Sequence, residues 1–168
     1  KKSTLQPLIN GGGHEDGMRS GTLNVPAIVG FGVACELAKL GLSTREPSSS
    51  ILRQYLEEKL SSMGAIVFGH EEKRLPNTSY FTMPGIFGET LVIELDKCGF
   101  AVSSGAACSS NSDGPSEVLS AMRVEEETSL GAVRVSFGIN NTKEQVDKFT
   151  DELNKIVKRL GAMSAIAV

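Results

Sequence analysis

The sequence predicts an α/β domain, in its α+β form. Short β-rich apolar runs alternate with longer segments whose apolar residues recur every three or four positions. Helix-start and turn residues separate these segments. The length of 168 residues, with 40% hydrophobic and 22% charged content, suits one soluble domain with a real core.

Residues 1–23 read as extended chain or loop, with glycines at positions 11–13, 17 and 21. Asn24 is placed to cap a helix and Pro26 falls in its first turn. That helix should run to Lys39 and stop at Gly41. It is apolar nearly all round (Ile28, Val29, Phe31, Val33, Ala34, Cys35, Leu37), so it is expected to be mostly buried. Ser43–Ser49 is polar, contains Pro47 and reads as a break. Ser48–Ser50 can then cap a second helix through Met63, with Leu52, Tyr55, Leu56 and Leu60 on one face.

AIVF at 65–68 and SYFTM at 79–83 read as short strands, and Glu89–Lys97 as a helix carrying Leu91, Val92 and Leu95. FAVSS at 100–104 is a third strand. Pro115 opens a short helix, PSEVLSAM. AVRVSF at 132–137 alternates as a strand does. Thr142 and Gln145 form a capping box for a last helix with Val146, Phe149, Leu153, Ile156 and Leu160 on one face.

Several classes of function receive no support. A net charge of -3 offers nucleic acid no electrostatic attraction. No apolar run approaches the roughly 20 residues of a membrane helix. KKSTLQPLINGGG lacks the apolar core of a signal peptide. Three cysteines (Cys35, Cys98, Cys108) argue for a reducing compartment rather than a disulfide framework, and their spacing fits no zinc pattern. His14 and His70 are too few and too far apart to suggest a metal cluster. A polar start running straight into a triple glycine reads as the interior of a longer chain.

Four features could carry chemistry. Cys108 lies in AVSSGAACSS, whose small side chains leave room for something to approach the sulfur. A thiolate is the reactive form of such a residue, and the bland alternative is an inert buried thiol. Cys35, in the apolar helix, and Cys98, at a helix end, read as core residues. In GGGHEDGMRSGTLN, residues 11–24, glycines followed by Arg19, Ser20, Thr22 and a helix start could hold a phosphate; a simple turn is the alternative. Arg134, between Val133 and Val135, either faces solvent or grips an anion such as a carboxylate. His14 reads as exposed, and Lys1 and Lys2 as solvated terminal lysines.

In order, GGGHEDGMRSGTLNVPAIVGFGVA, PNTSYF, GETLVIELDKCGFAVSSGAACSS, PSEVL and VRVSFGINNTKEQVD resemble the C-terminal part of group I cysteine desulfurases, the NifS/IscS-like branch of the class V aminotransferases. The resemblance implies the C-terminal domain of a fold type I transferase dependent on pyridoxal 5'-phosphate (PLP). Residues 1–23 would be a remnant of the large PLP-binding domain with its phosphate-contacting loop. Residues 24–168 would be the small domain, with the persulfide-cysteine loop at about 103–115.

The implied activity converts L-cysteine to L-alanine and passes the sulfur on as a protein persulfide, toward iron–sulfur cluster or thionucleoside assembly. Cys108 corresponds to the persulfide cysteine, Arg134 to the arginine that grips the substrate carboxylate, and Thr22 to the threonine that reaches the phosphate of a partner subunit's PLP. No metal is implied. The implied partners are L-cysteine, a sulfur-acceptor or scaffold protein, a second copy in a homodimer and an N-terminal PLP-binding half, with no nucleic acid and no membrane. The implied location is the cytoplasm or an organelle with a reducing interior.

The family's PLP-binding lysine lies upstream of the GGG motif, outside these residues, so this chain alone is expected to be inactive. Ala106, Asn111 and Asp16 depart from the family's usual residues. A non-enzymatic persulfide carrier or regulatory domain is the alternative.

Overall fold

The computed structural model describes residues 5–105 and 116–166, with side chains as far as residue 162. Two compact units divide the chain, residues 1–42 and 43–168.

In the first unit, helix α1 spans Val25–Leu40. Asn24 caps it as expected: its side-chain carbonyl accepts the Ala27 N–H at 3.2 Å. Pro26 occupies the first turn and the helix closes at Gly41. Burial is where the expectation fails. No residue of α1 is buried, and Phe31 is 74% exposed. Apolar side chains all round the helix require cover on every side, and the described residues do not provide it.

Helix α2, Leu42–Ser62, runs straight through the expected break at 43–49. Pro47 is the sixth residue of the helix, in its second turn, so it removes the donor that would bond the Ser43 carbonyl while the rest of the helix continues beyond it. The neighbouring Ser48 hydroxyl donates to the Thr44 carbonyl at 3.0 Å.

The second unit is built on a four-stranded sheet: β1 (Ile66–Val67), β2 (Thr78–Thr82), β3 (Ser103–Ser104) and β4 (Ala132–Ser136), in the order β1-β2-β4-β3. Every pairing is antiparallel, so the α+β form is the correct one. The two edge strands are shorter than the apolar runs that announced them.

Alternation gives the sheet two faces. Phe81, Val133 and Val135 point to one face and meet Leu56 and Leu60 of α2. Leu91 and Leu95 of helix α3 (Gly88–Lys97) join them, with Val146, Phe149, Leu153 and Ile156 of helix α6 (Lys143–Ile166). The other face carries a smaller cluster of Phe68, Tyr80 and Ala132, covered by Leu119 of helix α4 (Glu117–Ala121) and by Val124. Pro115, the expected start of α4, lies outside the described residues. A one-turn helix, α5 (Glu126–Leu130), was not expected.

Two local devices hold this packing. The capping box at α6 forms as read, with the Gln145 N–H to the Thr142 hydroxyl at 3.4 Å and the Thr142 N–H to the Gln145 side chain at 3.1 Å. At the start of α3 the backbone presses on the sheet: a Cβ on Gly88 would sit 2.5 Å from the Ala132 carbonyl oxygen.

On the outer surface Asp147 of α6 accepts from the Tyr55 hydroxyl at 2.7 Å and pairs with Lys59 at 2.7 Å, clasping α6 to α2. The hydrogen bond from Lys59, and then that from Tyr55, holds the Asp147 carboxyl below its ordinary range.

Gly88→Ala is expected to lower stability by about 1–3 kcal/mol, the usual cost of overpacking, as read by urea unfolding. The Asp147 clasp favours the folded state above the ordinary carboxylate pKa of about 4 and loses that contribution as pH falls through the depressed folded value. The melting temperature should therefore fall below about pH 4, and Asp147→Asn should flatten that acid slope.

Candidate active site

Arg134 owes its position to its neighbours. Val133 and Val135 are drawn into the core, so the period of two sends Arg134 to the opposite face. It sits in the middle of β4, exposed, with Tyr80 of β2 as its register partner on one side and Ser103 of β3 on the other. Among the described residues its guanidinium forms no ion pair or hydrogen bond. An unpaired guanidinium at the centre of a sheet face, flanked by two hydroxyl-bearing residues, is suited to a planar anion such as a carboxylate.

Tyr80 was not singled out from the sequence. Its ring packs edge-on to Phe68, with centroids 5.4 Å apart. Its hydroxyl is buried without a hydrogen-bond partner and lies against Gly105. A Cβ at Gly105 would collide with that hydroxyl and sit 3.2 Å from the Ala132 Cβ, so a side chain there would displace the Tyr80 ring.

Gly105 is also the last described residue before the segment that carries Cys108. Its N–H donates to the Ala132 carbonyl at 2.9 Å. Cys108, Ala106 and Asn111 lie outside the described residues. The chain is described again from Ser116, which is buried and donates its N–H to the Ser129 hydroxyl at 3.2 Å. Both ends of the Cys108 segment are thus tied three residues apart, at Ser129 and Ala132, where α5 enters β4. Arg134 is two positions further along the same strand. Ser116 and Ser129 carried no signal in the sequence, since the bond joins residues 13 positions apart across two short helices.

Thr22 belongs to the first unit and Arg134 to the second, and each is described within its own. Around Thr22 the glycine-rich turn is held by its own polar groups. The Ser20 hydroxyl donates to the Gly12 carbonyl at 2.8 Å, and Ser20 is only 6% exposed. Arg19 donates to the carbonyls of Gly21 and Thr22 at 3.5 and 3.3 Å. Of the two readings, phosphate-holding loop or simple turn, these bonds are those of a turn. Ser20 is a turn-forming residue, Arg19 is partly engaged, and Thr22 is exposed, its hydroxyl forming no hydrogen bond among the described residues. Glu15 and Asp16 adopt left-handed backbone, with φ of 53° and 52°, in the short 3-10 turn that begins at His14. All three are exposed.

The core assignment of the other two cysteines is overturned. Cys35 is exposed on α1, which buries nothing. Cys98 follows α3 and is exposed, with its thiol 3.9 Å from a Glu152 carboxylate oxygen on α6. A helix end projecting past the core leaves such a residue in solvent.

Known proteins resemble this chain in sequence and fold. The profile of the aminotransferase class-V family matches residues 8–149. A cysteine desulfurase of Gluconacetobacter diazotrophicus is 43% identical over 95% of this chain, which corresponds to 40% of its own length. Cysteine desulfurase IscS 1 of Archaeoglobus fulgidus is 40% identical over 96% of the chain and 43% of its own length. Among solved structures, a NifS-like protein superposes with a TM-score of 0.78 at 38% identity, covering 94% of this chain and 40% of its own. The NifS-like protein of Rickettsia africae gives 0.77 at 32% identity, over 93% and 41%. The chain thus spans about 40% of the length of these relatives. It belongs to the aminotransferase class-V family, as a segment shared with proteins named cysteine desulfurase.

Proposed function

We propose that this chain is the sulfur-accepting and substrate-binding portion of a cysteine desulfurase. The observation that carries the reading is Arg134, unpaired among the described residues, on the strand to which one end of the Cys108 segment is tied directly and the other through the adjoining α5. Arg134 would grip the α-carboxylate of L-cysteine in a bidentate pair. That grip fixes one end of the substrate and turns its thiol toward Cys108.

The reaction balances without an added oxidant. The Cys108 thiolate attacks the substrate sulfur and the S–S bond of a persulfide forms. The substrate Cβ–S bond breaks, and its electron pair stays on carbon, which takes up a proton. L-cysteine and a protein thiol thus yield L-alanine and a protein persulfide. An acceptor protein's thiol then takes the outer sulfur and Cys108 is regenerated.

PLP, when bound, supplies the electron sink that makes the substrate carbon a tolerable leaving site. The residues present fit a contact to its phosphate. The Thr22 hydroxyl is exposed, and Arg19 stands beside it with guanidinium donors beyond the one its turn uses. Thr22 would serve the cofactor of a second subunit in a homodimer. The segment would work with a PLP-bearing portion corresponding to the remaining length of the relatives. A free, reactive thiol suits a reducing compartment such as the cytoplasm.

The test is made on this segment together with its PLP-bearing portion, incubated with L-cysteine. Alanine should appear, and mass spectrometry of the Cys108 peptide should show one added sulfur atom. Cys108→Ser should abolish both. Arg134→Lys keeps the charge but loses the fork, so KM should rise tenfold or more, in line with about 1.5–3 kcal/mol for hydrogen bonds to charged groups. Alanine formation unchanged in Cys108→Ser would sink the reading. Persulfide uptake from a donor enzyme without PLP, and with no alanine made, would favour the carrier alternative.

A further inference from the structure

Beyond Thr82, at the end of β2, the chain turns through residues 83–87 and leaves a concave pocket. Ile66, Met83, Pro84, Ile86 and Phe87 make it apolar, and Glu127 of α5 stands on its rim. Phe87 is 65% exposed and Ile66 46%. Covering such side chains removes apolar surface from water, so this is a surface that gains by being covered.

Among the described residues, the one charged residue that lines it is Glu127. Glu125, Glu126 and Glu127 are consecutive and exposed, and Glu89 is exposed two positions beyond Phe87. None of the four forms an ion pair among the described residues. The nearest cation along the chain is Arg123. An apolar hollow beside unpaired carboxylates complements an apolar side chain flanked by lysines or arginines.

Its place in the fold gives this chemistry a purpose. Thr82, which lines the pocket, is the register partner of Ala132, whose carbonyl holds Gly105. Glu127 and Thr128, on the other side, directly precede Ser129, which holds Ser116. The pocket's lining thus includes the register neighbour of one anchor of the Cys108 segment and the chain neighbour of the other.

We propose that this pocket is the docking site for the protein that takes sulfur from Cys108, and that this partner presents a basic segment with an apolar anchor residue. The identity of the partner rests on the persulfide reading; the docking chemistry does not.

The probe is a fluorescein-labelled octapeptide with a central leucine pair flanked by lysines and arginines, compared with its glutamate-flanked counterpart by fluorescence anisotropy on the purified chain. The basic peptide should bind, the acidic one should not, and added salt should weaken binding. Phe87→Ser and the double reversal Glu126→Lys/Glu127→Lys should each cost tenfold or more. The reversal Glu144→Lys/Asp151→Lys on α6 makes the same change in net charge away from the pocket and should leave affinity unchanged.

Phe87 and the glutamates are exposed, so these variants should fold, which circular dichroism checks. Absence of binding by the basic peptide, equal losses from the α6 reversal, or no loss from Phe87→Ser would overturn the proposal. Cys108→Ser should bind the peptide normally. Docking without persulfide chemistry would remove only the functional reading, and persulfide chemistry without docking would remove only this one. Peptide-sensitive self-association, seen by sedimentation, would assign the pocket to a second copy instead and overturn it too.

Discussion

The alternation in strand β4 is the constraint on which the rest depends. Val133 and Val135 enter the core against α2, α3 and α6, and that packing fixes which way every other residue of the strand points. Arg134 is exposed because its neighbours are not. A slip of one position in the β2–β4 register would bury the guanidinium among leucines and phenylalanines, where an unpaired charge is untenable. The hydrophobic core therefore does chemical work, since it presents the cation and keeps it presented. The same strand receives Gly105 at Ala132, so the placement of the Cys108 segment relative to Arg134 is inherited from the core as well.

What was legible in the sequence follows from how local each signal is. Capping residues act within one turn, so Asn24 and the Thr142–Gln145 box were readable and formed as read. The 3.6 period of α6 and the alternation of β4 are likewise local. Pro47 misled because its effect depends on where in a helix it falls, and that depends on where α2 begins. α5 was missed because one turn is too short to show a period. At the site, Arg134 was conspicuous as a charge inside a strand pattern. Tyr80 and the Ser116–Ser129 bond were not, because each matters only through strand register or a contact between distant segments.

Helix α1 shows the limit of composition. Its apolar surface correctly announces that something must cover it, but composition carries no information about what does so or where that lies in the chain. Cys35 was assigned to the core on the same ground, and it is exposed with the rest of the helix. Cys98 differs, because its neighbours in sequence are mixed and its exposure follows from its place past the last turn of α3.

The covalent chain sets a bound on what Cys108 can do. It lies three residues beyond Gly105, so its Cα reaches at most about 10 Å from that anchor. Gly105 is bonded to Ala132. From Ala132, Arg134 is two residues along β4, about 7 Å, and Thr82 is the neighbouring position across the sheet, about 5 Å. Adding the strand spacing of about 5 Å between Gly105 and Ala132 puts Arg134 about 9 Å and Thr82 about 10 Å from the anchor, so the tether takes in the arginine proposed to hold the substrate and just reaches the edge of the apolar pocket. On the proposed reading, a thiol that collects sulfur in one place and releases it in another needs both within its tether. On this sheet the two proposed stations lie in different directions from the same residue, one along the strand and one across it. A longer tether would add reach but dilute the thiol at both stations. Only ten residues separate the bonded ends at Gly105 and Ser116, and on the proposed reading so short a tether raises the effective concentration of Cys108 at each station.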